Sequence, residues 1–221
     1  MGTLRSTSLA VALLAALPAA GGDLRGSVSF LGKAPVHAPE PIAKDQAVCG
    51  NAAPDESVAV LAGKLANVVV VVRGAPSPPA AARVTLDQRG CRYLPHVQAA
   101  PVGSVLEIVN GDPILHNTHG YLGRATAFNL AMPRKDQRVT KRLDRPGLIQ
   151  VRCDVHGWMS AYVVVSEGPA AVSGPDGSFV VPGLPPGTYK VSAWHESLGE
   201  KTAEVTVPAS GDASVSFAFG G

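Results

Sequence analysis

Four side chains that bind soft metal ions occur in the second half of the chain. Cys153, His156 and Met159 share one short run, and His116 lies upstream of them. A thiolate, two imidazoles and a weakly held thioether are the ligands of a trigonal copper site used for electron transfer, and the sulfur ligands favour Cu(I). Such a site carries electrons without ligand exchange, because one geometry serves both oxidation states. The spacing therefore predicts a mononuclear copper site on these four residues.

The elements around these residues are predicted to be strands. The chain has 24 glycines and 19 prolines among 221 residues, and it also has recurrent Val-rich runs. Helical periodicity is scarce. This composition is typical of an all-β protein made of short strands and tight turns. The ligand run itself lies directly before an apolar strand, residues 162–165.

Residues 83–167 resemble the blue-copper proteins of the plastocyanin, pseudoazurin and amicyanin type, the cupredoxins. The resemblance is carried by the Gly- and Val-containing strand over residues 102–110, by the pair His116-Asn117 and by the strand over residues 146–153 that leads to Cys153. It implies a Greek-key β-sandwich in which His116, Cys153 and His156 are equatorial copper ligands and Met159 is the weak axial ligand. It also implies that His156 is shallowly buried and acts as the electron port.

The rest of the chain resembles a carboxypeptidase-regulatory, transthyretin-like β-sandwich. Residues 176–179 and 184–189 match its "D-G-x-F" and "L-P-x-G-x-Y" signatures, and its early strands are available only at residues 26–30 and 67–72. We therefore expect a cupredoxin domain inserted into a transthyretin-like domain. The chain would pass between the two domains at two crossings, the Pro-rich residues 75–79 and residues 166–169. The predicted segments are a signal peptide (1–21), early transthyretin-like strands (22–78), the copper domain (79–167) and late transthyretin-like strands (168–221). The arrangement also resembles exported cupredoxin-like proteins of the methylamine-utilisation type.

Three further polar residues lie close to the predicted ligands in the sequence or in the family's fold. The side-chain amide of Asn117 either ties the His116 loop to the Cys153 loop or only forms a turn. If residues 116–119 are extended, His119 points away from His116, which favours solvent or a hydrogen bond around the site over metal ligation. His96 either lines the site, forms a second metal position with His119, or is an exposed histidine.

In an oxidising compartment, the odd count of three cysteines suggests one disulfide pair and one thiol with another function. Cys153 is the strongest candidate for metal binding, so we predict a disulfide between Cys49 and Cys91. A bond that closes this loop stabilises a fold by about 2–4 kcal/mol.

The N-terminus has the pattern of a secretory signal peptide. Arg5 precedes a short apolar core at residues 9–17, and small residues at 18–21 suit cleavage. Since no later segment is long and apolar enough to cross a bilayer, no membrane span is expected and we predict a periplasmic or secreted protein. The formal net charge is +2, and no basic stripe is interleaved with aromatic residues, so no nucleic-acid partner is expected.

These features together predict an exported type 1 copper protein that carries single electrons between redox partner proteins. No nucleophile–base–acid set, phosphate loop or paired carboxylate signature stands out, so an enzyme is not expected. Two alternatives stay open. One is a copper-handling protein, a chaperone or resistance protein, that uses His96 and His119 for extra copper capacity. The other is a metal-free β-sandwich that binds a carbohydrate or mediates adhesion.

Overall fold

The computed structural model describes residues 21–75 and 82–220. The predicted signal peptide, apart from Gly21, and residues 76–79 of the predicted Pro-rich crossing lie outside the described residues. Within the described ranges the protein is nearly all-β, as predicted, with one short helix, α1 (Gln46–Cys49). None of the described residues forms a helix long and apolar enough to span a membrane.

The central sandwich consists of two sheets built from residues 83–166. The first has the strand order β13-β10-β7-β8 and the second β12-β11-β14-β15-β9. The strands are β7 (Arg83–Gln88), β8 (Tyr93–Leu94), β9 (Val97–Pro101), β10 (Val105–Asn110), β11 (His116–Leu122), β12 (Ala125–Met132), β13 (Gln137–Arg142), β14 (Gly147–Arg152) and β15 (Ser160–Ser166). Their inward side chains form one apolar core that includes Leu86, Leu106, Ile108 and Val163.

The outer sandwich is built by strands from both ends of the chain. One sheet has the order β17-β1-β5-β4, with β20 parallel to β1 on its other edge, and the second has the order β16-β6-β18-β19. The strands are β1 (Gly22–Leu31), β4 (Val60–Leu61), β5 (Lys64–Leu65), β6 (Val69–Arg73), β16 (Ala170–Val172), β17 (Ser178–Leu184), β18 (Gly187–His195), β19 (Gly199–Val207) and β20 (Ala213–Gly220). A second apolar core lies between these two sheets.

Two sequence features explain how the outer sandwich forms. The Val-rich strand β6 is buried on both faces: Val70 and Val72 enter the outer core, while Val69 packs against Val97 and Tyr162 of the central sandwich. Because both faces of such a strand are buried, its sequence is a continuous run of apolar residues. In the Asp-Gly turn, Gly177 has φ of +73° and a Cβ there would lie 2.4 Å from the carbonyl oxygen of Val28, so the turn against β1 requires glycine.

A long excursion, residues 36–58, leaves the outer sandwich after β1 and returns at β4. We call it the strap. It contains the small hairpin of β2 (Glu40–Pro41) and β3 (Ala52–Ala53), with α1 between them. Ile42, Cys49 and Ala53 of the strap are buried in the core of the central sandwich, although the strands on either side of the strap belong to the outer sandwich. The predicted disulfide, Cys49–Cys91, is present and fastens α1 to the turn before β8.

Candidate metal site

Three of the four predicted ligands converge at one end of the central sandwich. His116 opens β11, Cys153 directly follows β14, and His156 lies in the turn before β15. Nδ1 of His116 lies 3.0 Å from Nδ1 of His156, and that atom lies 3.8 Å from Sγ of Cys153. All three side chains are buried, and their ligand atoms lie within 4.8 Å of one another.

The fourth predicted ligand, Met159, closes the same turn. Its amide donates to the carbonyl of His156 at 2.9 Å, and its carbonyl accepts a long, 3.4 Å bond from the amide of Cys153. The turn therefore brings residue 159 back beside residues 153 and 156. The Met159 side chain is buried in the core of the central sandwich.

Each imidazole is held from behind by a carboxylate. Nε2 of His116 lies 2.9 Å from Oδ2 of Asp112, and Nε2 of His156 lies 2.9 Å from Oδ2 of Asp45 on the strap. A carboxylate accepts only, so each Nε2 carries its proton as donor and each Nδ1 is left with a lone pair. Two imidazole lone pairs and a cysteine sulfur thus point at one small volume. That donor set fits a copper ion, and carboxylate–histidine contacts of this kind fix metal ligands elsewhere.

The electrostatics of His116 and Asp112 suit metal binding. Burial lowers the pKa of His116 and outweighs the opposing effect of Asp112, so the ring is neutral and able to ligate at neutral pH. Burial disfavours the charge of Asp112, but the amides of Cys91 and Gly90 and the ring of His116 together hold the pKa of Asp112 below its ordinary value. The carboxylate is therefore ionised where it meets the ring.

Two residues fasten the loops that carry the ligands. The hydroxyl of Tyr93, a buried side chain, donates to the carbonyl of Asn117 at 2.5 Å and also lies 3.1 Å from the carbonyl of Arg152. The backbone amide of Asn117 donates to Sγ of Cys153 at 3.4 Å, and its side-chain oxygen accepts from the amide of Asp154 at 3.2 Å. Asn117 thus joins the His116 loop to the Cys153 loop, which is the first of its two predicted roles.

The structure does not bring His96 and His119 together. His119 hydrogen-bonds around the site: its Nδ1 lies 3.1 Å from the carboxylate of Asp154 and its Nε2 lies 3.0 Å from the hydroxyl of Thr126. His96 instead pairs with Glu196 on the turn after β18. Neither histidine belongs to a cluster of metal-binding side chains within residues 21–75 and 82–220. The expectation of an exposed His96 is also wrong, because the residue is only 6% exposed.

The expectation of a shallowly buried electron port at His156 is wrong as well. The side chain of His156 has no exposed surface, since Asp45 covers its outer nitrogen and the ring of Trp158 lies 5.1 Å away. Trp158 donates its ring N–H to the carbonyl of Cys91 at 3.1 Å, next to the disulfide. The strap and Trp158 together close the end of the site.

Sequence reasoning predicted the three residues that converge here but missed the carboxylates behind the two imidazoles. The contact of Asp112 with His116 was predictable, because Asp112 lies four residues before His116 and metal-bound histidines commonly contact a carboxylate. The contact of Asp45 was not predictable in this way, because 111 residues separate it from His156. Its position depends on where the strap crosses the central sandwich, which no local pattern encodes.

Comparison with known proteins gives only partial likenesses. No protein-family model matches the chain, and no curated protein matches it either. Among solved structures, the chain is similar to the copper-containing nitrite reductase (NirK) of Thermus scotoductus SA-01, with 23% identity and a TM-score of 0.35 over 39% of this chain and 23% of that one. The likeness thus spans about a quarter of the reductase.

Two small proteins are covered almost completely by the same kind of match. An amicyanin variant in the Cu(I) state is 20% identical with a TM-score of 0.34, over 44% of this chain and 98% of amicyanin. The purple cupredoxin of Nitrosopumilus maritimus is 18% identical with a TM-score of 0.32, over 38% of this chain and 99% of that one. At these scores the likenesses add nothing to the site, which rests on its own atoms.

Proposed function

We propose that this chain is an exported type 1 copper protein that carries single electrons between redox partner proteins. The observation that carries the proposal is the convergence of one sulfur and two imidazole nitrogens, Cys153 Sγ, His116 Nδ1 and His156 Nδ1, in a buried volume. The disulfide Cys49–Cys91 agrees with an extracellular or periplasmic location, because such bonds persist in oxidising compartments.

The site is suited to electron transfer by its rigidity. A copper ion bound here would supply a one-electron couple and would be held by His116, Cys153, His156 and Met159. Both imidazoles are fixed by carboxylates, and the Cys153 loop is fixed by Tyr93 and Asn117. A rigid ligand set accepts and gives an electron with little rearrangement.

The copper-handling alternative depended on extra copper capacity at His96 and His119. Because these residues have separate partners, Glu196 and Asp154, the observation that would favour that alternative is missing from the described residues. Electron transfer is therefore the function that the geometry supports best.

Visible spectroscopy and voltammetry test this function. The metal-free protein is titrated with Cu(II) under conditions that keep the disulfide intact. We expect one intense thiolate band that saturates at one copper per chain, and a reversible one-electron couple. Cys153→Ser should abolish the band, because a hydroxyl cannot provide the thiolate's charge transfer. Retention of the band in this variant, or its absence in the native protein, would contradict the proposed site.

We further infer that the central sandwich is a cupredoxin domain inserted into a transthyretin-like domain. Strand pairing supports this arrangement: β1 pairs with β17 and β20, and β6 pairs with β16 and β18. The early strands of the chain thus find their partners after the central sandwich. In this arrangement the outer sandwich has a structural role and offers a docking surface for a redox partner.

A further inference from the structure

The strap contributes a residue that contacts one of the predicted ligands of the candidate metal site. It belongs by connectivity to the outer sandwich, yet it is fastened to the central sandwich at two separate points. Cys49 is bonded to Cys91, and Glu56 forms an ion pair with Arg92, the next residue along. Ile42 and Ala53 add apolar contacts on either side of α1. A segment held in this way has a fixed position over the end of the site.

This fastening fixes the backbone of Asp45. The residue is the N-cap of α1, with φ of +54°, and its carbonyl accepts from the amides of Val48 and Cys49 at 2.9 Å each. The disulfide is therefore four residues from Asp45 and within one turn of it. An aspartate tolerates the left-handed conformation better than most residues, which suits it to this position. The side chain is left free to point at His156.

The contact that results joins a buried ring to a partly exposed carboxylate. His156 has a fully buried side chain, whereas Asp45 is about one-third exposed, and 2.9 Å separates Oδ2 from Nε2. A buried imidazole N–H without a partner would be costly, so the carboxylate satisfies the one polar atom of His156 that does not face the ligand cluster. Its negative charge lies behind a ligand nitrogen, where it favours the more positive oxidation state of a bound ion.

We propose that Asp45 is a positioning residue for His156, and that one function of the strap and its disulfide is to hold Asp45 against this ring. The proposal rests on the proposed copper site. It assigns the strap three effects: it locks the His156 ring with Nδ1 facing the metal, it stabilises Cu(II) relative to Cu(I), and it bars a partner protein from touching the ring. Carboxylates behind metal-bound histidines commonly alter metal affinity 10- to 100-fold.

Two substitutions at Asp45 separate its charge from its hydrogen bond. Asp45→Asn keeps the shape and an oxygen that accepts from Nε2–H, but it removes the charge. Asp45→Ala removes both. The matched control is Glu40→Gln, which also removes one negative charge from an exposed position on the strap. All variants are made in the full chain.

The copper-bound protein gives the first readout. Both Asp45 variants should shift the Cu(I)/Cu(II) equilibrium about tenfold toward Cu(I), which is about 59 mV for a one-electron couple. Asp45→Asn should accordingly lose about tenfold in Cu(II) affinity, and Asp45→Ala, which also loses the hydrogen bond, should lose more, up to about 100-fold. Glu40→Gln should match the native protein in both measurements. If Asp45→Ala also matches the native protein in both, the proposal is wrong.

The metal-free protein gives a readout that does not depend on copper. Nitrogen-15 NMR of the imidazoles should find the proton of His156 on Nε2 in the native protein and in Glu40→Gln. In Asp45→Ala that proton should become shared between the two ring nitrogens. If the native ring carries its proton on Nδ1, the Asp45 contact is absent and the positioning role fails. If the NMR result holds but no thiolate band forms with Cu(II), the copper function fails and the contact stands.

Discussion

His96 and Glu196 form a buried ion pair across the junction between the two sandwiches, although 100 residues separate them in the sequence. His96 precedes β9, and Glu196 follows β18. The other ring nitrogen of His96, Nδ1, lies 3.1 Å from the carbonyl of Ser160. Because both neighbours are acceptors, the ring is satisfied only when both nitrogens carry protons, which is the charged form.

This pair predicts a pH-dependent stability of the whole chain. Burial opposes the charge of His96, but the hydrogen bond and charge of Glu196, with help from Glu56, raise its pKa above the ordinary value. A raised pKa means that the stabilisation is complete below the unfolded value of about 6.5 and is lost as the pH rises through the folded value. Burial lowers the pKa of the neighbouring His195, so the charge at this junction is that of His96 rather than of His195.

The measurement is chemical denaturation at pH 6 and pH 9 of the native protein and His96→Gln. Removing one partner of a buried pair costs about 3–5 kcal/mol, so we expect a loss of that order at pH 6 and a clearly smaller one at pH 9. His37→Gln is the control, since His37 is an exposed histidine that also pairs with a carboxylate, Asp55. An equal loss for His96→Gln at both pH values would show that the charge of His96 does not matter.

The axial role of Met159 can be tested against a second buried methionine. Met159 and Met132 are both fully buried, and the sulfur of Met132 accepts hydrogen bonds from Gln88 and Thr118. Met159→Leu should retain the thiolate band and raise the reduction potential, because loss of an axial donor favours Cu(I). A rise of about 59 mV corresponds to a tenfold change for one electron. Met132→Leu should leave the potential unchanged, and an equal shift in both variants would speak against axial ligation.

The disulfide should contribute to stability through the strap. Its two cysteines are 42 residues apart, and the bond holds the strap to the turn before β8. The double variant Cys49→Ser/Cys91→Ser should lose about 2–4 kcal/mol of unfolding free energy. Because the freed strap no longer presents Asp45 firmly, copper should also dissociate faster to a chelator. Mass mapping of the unreduced native protein that finds Cys153 bonded to either cysteine would contradict the pairing.

The outer sandwich should depend on its N-terminal strand. Among the described strands, β17 and β20 pair only with β1. A fragment of residues 169–221 therefore contains one complete hairpin, β18–β19, and three strands, β16, β17 and β20, without a sheet partner. Such a remnant buries too little apolar surface to be stable. We expect circular dichroism to find it largely unfolded until residues 22–75 are added. A stably folded fragment would mean that the two sandwiches are consecutive domains.

The sequence and the structure agree best where the determinants are local. The all-β class follows from the strand and turn composition. The convergence of His116, Cys153 and His156 was predicted from a His-Asn pair and one short Cys-x-x-His run. The position of β6 also follows from its Val-rich run. These features depend on neighbours in the chain, so pattern alone is sufficient to predict them.

The partners of the site depend instead on how distant segments cross. Asp45 reaches His156 only because the strap folds back over the central sandwich, and Glu196 reaches His96 only because β18 ends beside β9. His96 was consequently expected in the site or at the surface, and it is in neither place. The contacts of the polar residues behind the site and between the two sandwiches depend on tertiary packing. The local sequence pattern does not predict which distant segments pack together.

X-ray absorption spectroscopy of the copper-loaded protein tests the central claim most directly, because it reports the atoms bound to the metal. We predict one copper per chain with a single short copper–sulfur contact from Cys153 and two imidazole nitrogens from His116 and His156. The short sulfur contact should disappear in Cys153→Ser, while the imidazole signal should persist. A copper ion surrounded only by nitrogen and oxygen ligands in the native protein would contradict the account.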